Sequence, residues 1–126
     1  MDNRHPVRVC SFVAIVMIHL VLTACASTDQ KLANRGFEAI EDGQYVAAEK
    51  ALTQALEANP DNPYALLNLG TVYQRTGRFD QARVMFEKVV ALNPDDKPAK
   101  RSSFIPDSKT LKDIAEDNLK TLPAKQ

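Results

Sequence analysis

The chain has 126 residues, with 16 basic and 16 acidic side chains that balance to a formal net charge of +0. That length leaves room for one domain, and the balanced charge gives no basic face of the kind nucleic-acid binding needs. Both histidines, His5 and His19, fall within the first 24 residues, so the rest of the chain has no His and only Cys25.

That distribution excludes a His–Ser or His–Cys nucleophile pair and a His/Cys zinc site. Carboxylates remain for acid–base work, but no spacing marks a pair. The expectation is a protein that is not an enzyme, with no cofactor and no metal.

The first eight residues set Arg4 and Arg8 against Asp2. Val9 to Leu22 is uncharged and mostly apolar, and Thr23-Ala24-Cys25 follows. A basic start, an apolar run and small residues before a cut site are the parts of a secretory signal. The apolar run is short for a membrane span of about 20 residues. Its ending, Leu22-Thr23-Ala24-Cys25, is similar to the bacterial lipobox. That resemblance implies that the Cys25 thiol takes a diacylglyceryl group, that residues 1–24 are cut away, and that the new amine is acylated. More than one acyl chain gives stable anchoring where a single chain holds marginally. The alternative is an uncleaved signal anchor with Cys25 as an ordinary thiol. Ala26, not Asp, follows the Cys. In a Gram-negative source that favours the outer membrane, facing the periplasm. Residues 25–28 then form the lipidated Cys and a short tether. Without Arg4, Arg8 and Asp2 the remaining chain carries about one net negative charge.

Beyond the tether the chain overlays itself at an offset of 34 residues. Leu32 falls on Leu66, Gly36 on Gly70, Gly43 on Gly77, Ala48 on Ala82, Leu52 on Phe86, Ala55 on Val89 and Pro60 on Pro94. Leu66, Leu69, Gly70 and Tyr73 share one helical face, and Ala82, Phe86 and Val89 share another. Two amphipathic helices joined at a glycine make an αα-hairpin. With this period, the pattern resembles the tetratricopeptide repeat. Gly36 and Gly70 allow close helix approach, Ala48 and Ala82 do so from the second helix, and Leu52 and Phe86 fill the remaining space. Asn62 before Pro63 reads as an N-cap followed by proline at the first helical position. Ser27 and Gln30 have capping-box spacing. The expected helices run about 28–42, 45–58, 63–76, 79–92 and 107–122.

The expected fold is all-α: an αα-hairpin superhelix of two repeats, at 29–62 and 63–97, plus a C-terminal capping helix. The first repeat departs from the family at Arg35 and Ala39, where the second has Leu69 and Tyr73. A terminal repeat lacks one neighbour and tolerates such residues, so Arg35 is expected to face water. A third repeat fails because Phe104 stands at the glycine position and Pro106 follows it. Residues 98–106 read as a linker, with Lys97, Lys100 and Arg101 as a solvated basic patch at its start. Over 107–122, Leu111, Ile114, Ala115, Leu119 and Leu122 share a face, Asp107 is the expected N-cap, and Pro123 begins the 123–126 tail. This helix either caps the second repeat or docks on a partner or a second copy.

In tetratricopeptide proteins the first helix of each repeat lines a concave groove. The resemblance therefore places Phe37, Ile40, Tyr64, Leu67, Thr71 and Arg75 in the groove, with Ala33, Asn68 and Gln74 among their neighbours. The family's carboxylate clamp would need Lys and Asn where Ala33 and Phe37 stand, so chaperone tails are not expected ligands. An exposed apolar patch marks an interaction site. The reading is a membrane-anchored adaptor lipoprotein that binds an apolar peptide or helix of another envelope protein. It resembles tetratricopeptide lipoproteins of pilus, secretin or outer-membrane protein assembly. The alternatives are a self-assembling scaffold built as a homo-oligomer, or a regulator of a cell-wall hydrolase.

Overall fold

A computed structural model describes residues 28–95 and 109–124. Among these residues five helices stack as antiparallel neighbours: α1 over 28–41, α2 Tyr45–Ala58, α3 Pro63–Arg75, α4 Phe79–Leu92 and α5 Leu111–Thr121. The expected signal, Cys25, Ser27, Lys97, Lys100, Arg101, Phe104, Pro106 and Asp107 all lie outside the described residues. Among those described, every regular element is a helix, and no helix is long and apolar enough to cross a membrane.

The 34-residue offset reappears in the backbone. In the first turn the N–H of Gly43 donates to the Ile40 carbonyl at 3.0 Å and that of Gln44 to Ala39 at 2.8 Å. In the second, Gly77 donates to Gln74 at 3.2 Å and Arg78 to Tyr73 at 2.8 Å. These paired bonds are the Schellman ending of a helix, which wants a left-handed residue at the first position past the cap. Gly43 and Gly77 supply it, with φ of 71° and 76°. Gln44 and Arg78, just past each ending, also serve as N-caps of the next helix without a side-chain cap bond. One residue thus closes one helix and opens the next, which keeps each hairpin tight.

Close packing within each hairpin comes from the other two glycines. A Cβ on Gly36 would lie 2.4 Å from Leu52 Cγ, and one on Gly70 would lie 2.5 Å from Phe86 Cε1. Leu52 and Phe86 are both wholly buried, so neither has room to retreat. Helix α3 then serves two cores. Ala65, Leu69 and Val72 join Ala33, Ala48, Leu52 and Ala55 of the first repeat. Leu66 and Leu67 join Ala82, Phe86 and Val89 of the second, together with Leu111, Ala115 and Leu122 of the C-terminal segment. Tyr64, Tyr73, Leu56 and Met85 are half-buried and touch both cores. Helix α5 packs mainly on α4 and also on α3, so it caps the second repeat within the same chain. Arg35 is exposed on the outer side of α1, as a terminal repeat allows.

The caps divide into one agreement and one correction. Asn62 caps α3: its Oδ1 accepts from the Ala65 N–H at 3.0 Å, with Pro63 in the first turn. Helix α5 starts at Leu111, not near 107, and its N-cap is Thr110, not Asp107. The Thr110 hydroxyl accepts from the Asp113 N–H at 3.2 Å, and Asp113 Oδ2 accepts from the Thr110 N–H at 2.8 Å. A reciprocal box satisfies two orphan N–H groups at once, and a lone aspartate satisfies one. The Thr110 backbone N–H, and then its hydroxyl, which donates to the same Oδ2 at 2.9 Å, hold the Asp113 carboxyl below its ordinary range.

Two copies of Asn-Pro-Asp follow α2 and α4, yet they differ in conformation. Asn59 is extended at φ −145°, and Asn93 is left-handed at φ 49°. The cause lies one repeat back. Asn59 Nδ2 donates to Asp29 Oδ2 at 2.9 Å, and the residue standing 34 places after Asp29 is Pro63, which offers Asn93 no carboxylate.

A candidate protein-binding groove

The six residues expected to line the groove fall into different environments. Phe37 and Ile40 on α1 are half-buried, and Ile40 leans on the first-repeat core. Tyr64 at the start of α3 is half-buried and reaches both cores. These three keep apolar surface on first helices of the two repeats. Leu67 does not: it is only 7% exposed and belongs to the core that contains Leu111 and Ala115. Ala33 is also buried, at 1%. Thr71 is half-buried, with its hydroxyl donating to the Leu67 carbonyl at 3.0 Å, and Arg75 is exposed. Gln74 is tied to α5, donating to Thr121 Oγ1 at 3.0 Å. Cys25 lies outside the described residues. The structure thus unites Ile40 and Tyr64 on the first-repeat core, and it places Leu67 beneath the capping arrangement.

Two polar clusters hold the helices that carry this surface. The first is Asp29, a carboxylate 3% exposed in the first turn of α1. Its Oδ2 accepts from Asn59 Nδ2 and Asn62 Nδ2, each at 2.9 Å, while Oδ1 has no partner among the described residues. Burial, the largest single influence, disfavours its charge, but the amides of Asn62 and Asn59 and nearby backbone N–H groups outweigh it and set its pKa below the ordinary 3.8. The second is Arg78, which donates to Glu49 Oε1 at 2.9 Å and Oε2 at 2.7 Å. Its guanidinium carbon also lies 4.4 Å from the Tyr73 ring centroid. The Arg78 hydrogen bonds hold the Glu49 carboxyl below its ordinary range. The pair is about one-third exposed, 36% and 33%, so solvent screens it and its stabilisation is small. Its effect is to fix how the second hairpin sits on the first.

Replacing Asp29 with alanine leaves two amides without this acceptor, the buried one of Asn62 and the more exposed one of Asn59. Urea denaturation should show a loss of about 1–3 kcal/mol. The sign of the pH effect follows from the lowered pKa. The Asp29 contribution is present above 3.8 and fades as pH falls through the folded value. The gap between wild type and Asp29→Ala should hold steady from about pH 7 to about pH 5 and close below about pH 4.

Sequence reasoning missed three of these features. Neither Asp29 nor the Glu49–Arg78 pair belongs to a repeat motif, and their contacts join residues 29 to 33 places apart. The third is an open depression of about 430 Å³ lined by Gly77, Arg78, Phe79, Asp80, Gln81, Pro123 and Ala124. Phe79 at its rim is 40% exposed. The apolar face of the last helix was the available signal for the covering of Leu67, because that face needed an inner partner.

A family model described as tetratricopeptide repeat matches residues 39–101, half of the chain. The chain belongs to the tetratricopeptide repeat family. Its relatives include the uncharacterized protein ycf37 of Pyropia yezoensis, 35% identical over 77 residues, covering 60% of this chain and 43% of that protein. The photosystem I assembly protein Ycf3 of Synechococcus sp. (strain CC9605) is 32% identical over 84 residues, covering 54% of this chain and 49% of that protein. The peptidyl-prolyl cis-trans isomerase FKBP4 of Mus musculus is 26% identical over 117 residues, 93% of this chain but 21% of that protein. The chain spans less than half the length of each of these relatives. As a tetratricopeptide repeat protein it presents a scaffold for protein–protein interaction, and Phe37, Ile40 and Tyr64 are half-buried apolar residues on its first helices.

Proposed function

We propose that this tetratricopeptide repeat protein is a lipid-anchored adaptor that holds another envelope protein close to a membrane. The observation that carries the reading is the contrast within the first-helix face. Leu67 is closed off by the chain's own C-terminal segment, while Phe37, Ile40 and Tyr64 keep apolar surface. Their partner is an apolar peptide or short helix, bound by shape and burial with no bond made or broken. One relative bears the name of an assembly protein, which supports a role in assembly, in the setting of pilus, secretin or outer-membrane protein assembly. The match to FKBP4 spans 21% of that protein, and the isomerase activity in its name is not carried to this chain. The anchor is the Cys25 thiol, following the cleavage of residues 1–24, and the outer membrane facing the periplasm is the proposed site.

Two experiments in the native cell test the two halves of this reading. Cys25→Ser should move the protein from the membrane fraction to the soluble one; a variant that stays with the membrane contradicts the lipid anchor. A photo-cross-linking residue at Phe37 should join one discrete protein, and the same probe at Arg35 on the outer side of α1 should not. Equal cross-linking at both positions contradicts the groove.

A further inference from the structure

The helix ends sort into two opposite edges. On one edge Asn59 and Asn62 hold Asp29 at the start of α1, each at 2.9 Å. Lys88 of α4 reaches the same edge, donating to the Pro60 carbonyl at 2.8 Å and pairing with Asp61 at 3.3 Å. On the other edge lie the two glycine turns and the end of α5. Glu49 and Arg78 join the first two of these, and Gln74 with Thr121 and Arg83 with Pro123 join the second to α5. The 14 residues of α2 separate the edges by about 21 Å, at about 1.5 Å per residue.

Thr28, the first described residue of α1, stands three places after Cys25. Three residues of fully extended chain reach about 10 Å, half the distance between the edges. A lipid on Cys25 therefore holds the Asp29 edge far more closely than the glycine-turn edge. We propose that the edge formed by Asn59–Asn62, Lys88 and the end of α4 is the surface laid against the lipid headgroups, with the helices standing off the membrane. The inference rests on the lipid anchor proposed above.

The chemistry of the edge suits a headgroup layer. Asn59, Pro60 and Asp61 are exposed, and the Lys88 side chain is 42% exposed, with an apolar stem and a charged tip. Such side chains settle at the boundary between apolar and polar layers. Leu92, the last residue of α4, is 38% exposed at the same end and adds an apolar contact. Val46 and Phe79, the other exposed large apolar residues at helix ends among those described, sit on the far edge. In this orientation the Phe37–Tyr64 face opens sideways along the membrane plane. The depression beside Phe79 faces away from it.

The anchoring thioether blocks Cys25, so Asp61→Cys or Gln81→Cys supplies the sole free thiol of the lipidated protein. Each variant is labelled with one fluorophore and bound to phosphatidylethanolamine–phosphatidylglycerol vesicles that carry a nitroxide quencher on their headgroups. Quenching at position 61 should be severalfold greater than at position 81. Equal quenching, or stronger quenching at position 81, on protein that floats with the vesicles overturns the orientation and leaves the anchor standing. Protein purified from membranes of its native cell but lacking the lipid overturns the anchor and this inference together.

Discussion

Replacing Phe86 with alanine is expected to destabilise the fold by about 3–5 kcal/mol, the usual range for removing a buried phenylalanine. The residue is wholly buried and sits where three things meet. Its ring occupies the space that Gly70 leaves open, with a Cβ there falling 2.5 Å from Cε1. It shares a core with Leu66 and Leu67 of α3 and with Leu111 and Ala115 of α5. Because Gly70 has no side chain to move inward, the cavity has little to collapse into it from α3. Small domains have a total stability of about 5–15 kcal/mol, so the variant should be partly unfolded at 37 °C. Urea denaturation followed by circular dichroism measures the loss. A change smaller than about 1 kcal/mol, far below the range for a buried aromatic, contradicts the packing described for the second repeat.

Ending the chain after residue 108 is expected to have an effect of similar or greater size. It removes Leu111, Ala115 and Leu122 from the second core, each at 8% exposure or less. Each fully buried leucine contributes about 1.5–3 kcal/mol, so the two together account for several kcal/mol before the uncovering of Leu66 and Leu67 is counted. The shortened chain should lose its sharp thermal transition and bind a hydrophobic dye. A truncation that melts as sharply and at the same temperature as the full chain would show that α5 is not a cap. It would also return Leu67 to the groove. The self-assembling scaffold gives the opposite dependence: there the last helix stabilises through a second copy, and the melting temperature rises with protein concentration.

The legible parts of the fold were those repeated in the sequence. Gly43 and Gly77 recur at 34 residues because each is the left-handed position of a Schellman ending. Such an ending sets the register of both its helices. Helices α2 and α4 therefore start and stop where the pattern puts them, at Tyr45–Ala58 and Phe79–Leu92. Gly36 with Leu52 and Gly70 with Phe86 were readable for the same reason, since one steric problem is solved twice. The start of α5 was misplaced because its signal, Thr110 with Asp113, stands outside any repeat and competes with an acidic residue at 107.

The candidate site was legible in part. Family geometry correctly assigns Tyr64 and Leu67 to a first helix, but it describes an array that continues. Here the next described helix starts at Leu111, and where it folds back decides which groove positions stay open. Leu67 closes and Phe37 stays half-open for that reason. Asp29 was invisible because a buried carboxylate is defined by its partners, Asn59 and Asn62, and neither is part of a motif with it. The stretch from Tyr64 to Pro94 is accordingly the packing centre of the protein, and the proposed recognition surface lies at its boundary with α1.

Affinity capture of the lipidated protein from its own membranes tests the adaptor reading most directly, with wild type, Phe37→Asp and Val84→Asp compared side by side. Val84 is 55% exposed on α4, away from the first-helix face, so its variant controls for added charge. All three should keep the same helical signal and melt within a few degrees of one another. Wild type and Val84→Asp should retain the same discrete partner, and Phe37→Asp should lose it. Retention of that partner by folded Phe37→Asp, at the wild-type level, would contradict the groove as the site of binding.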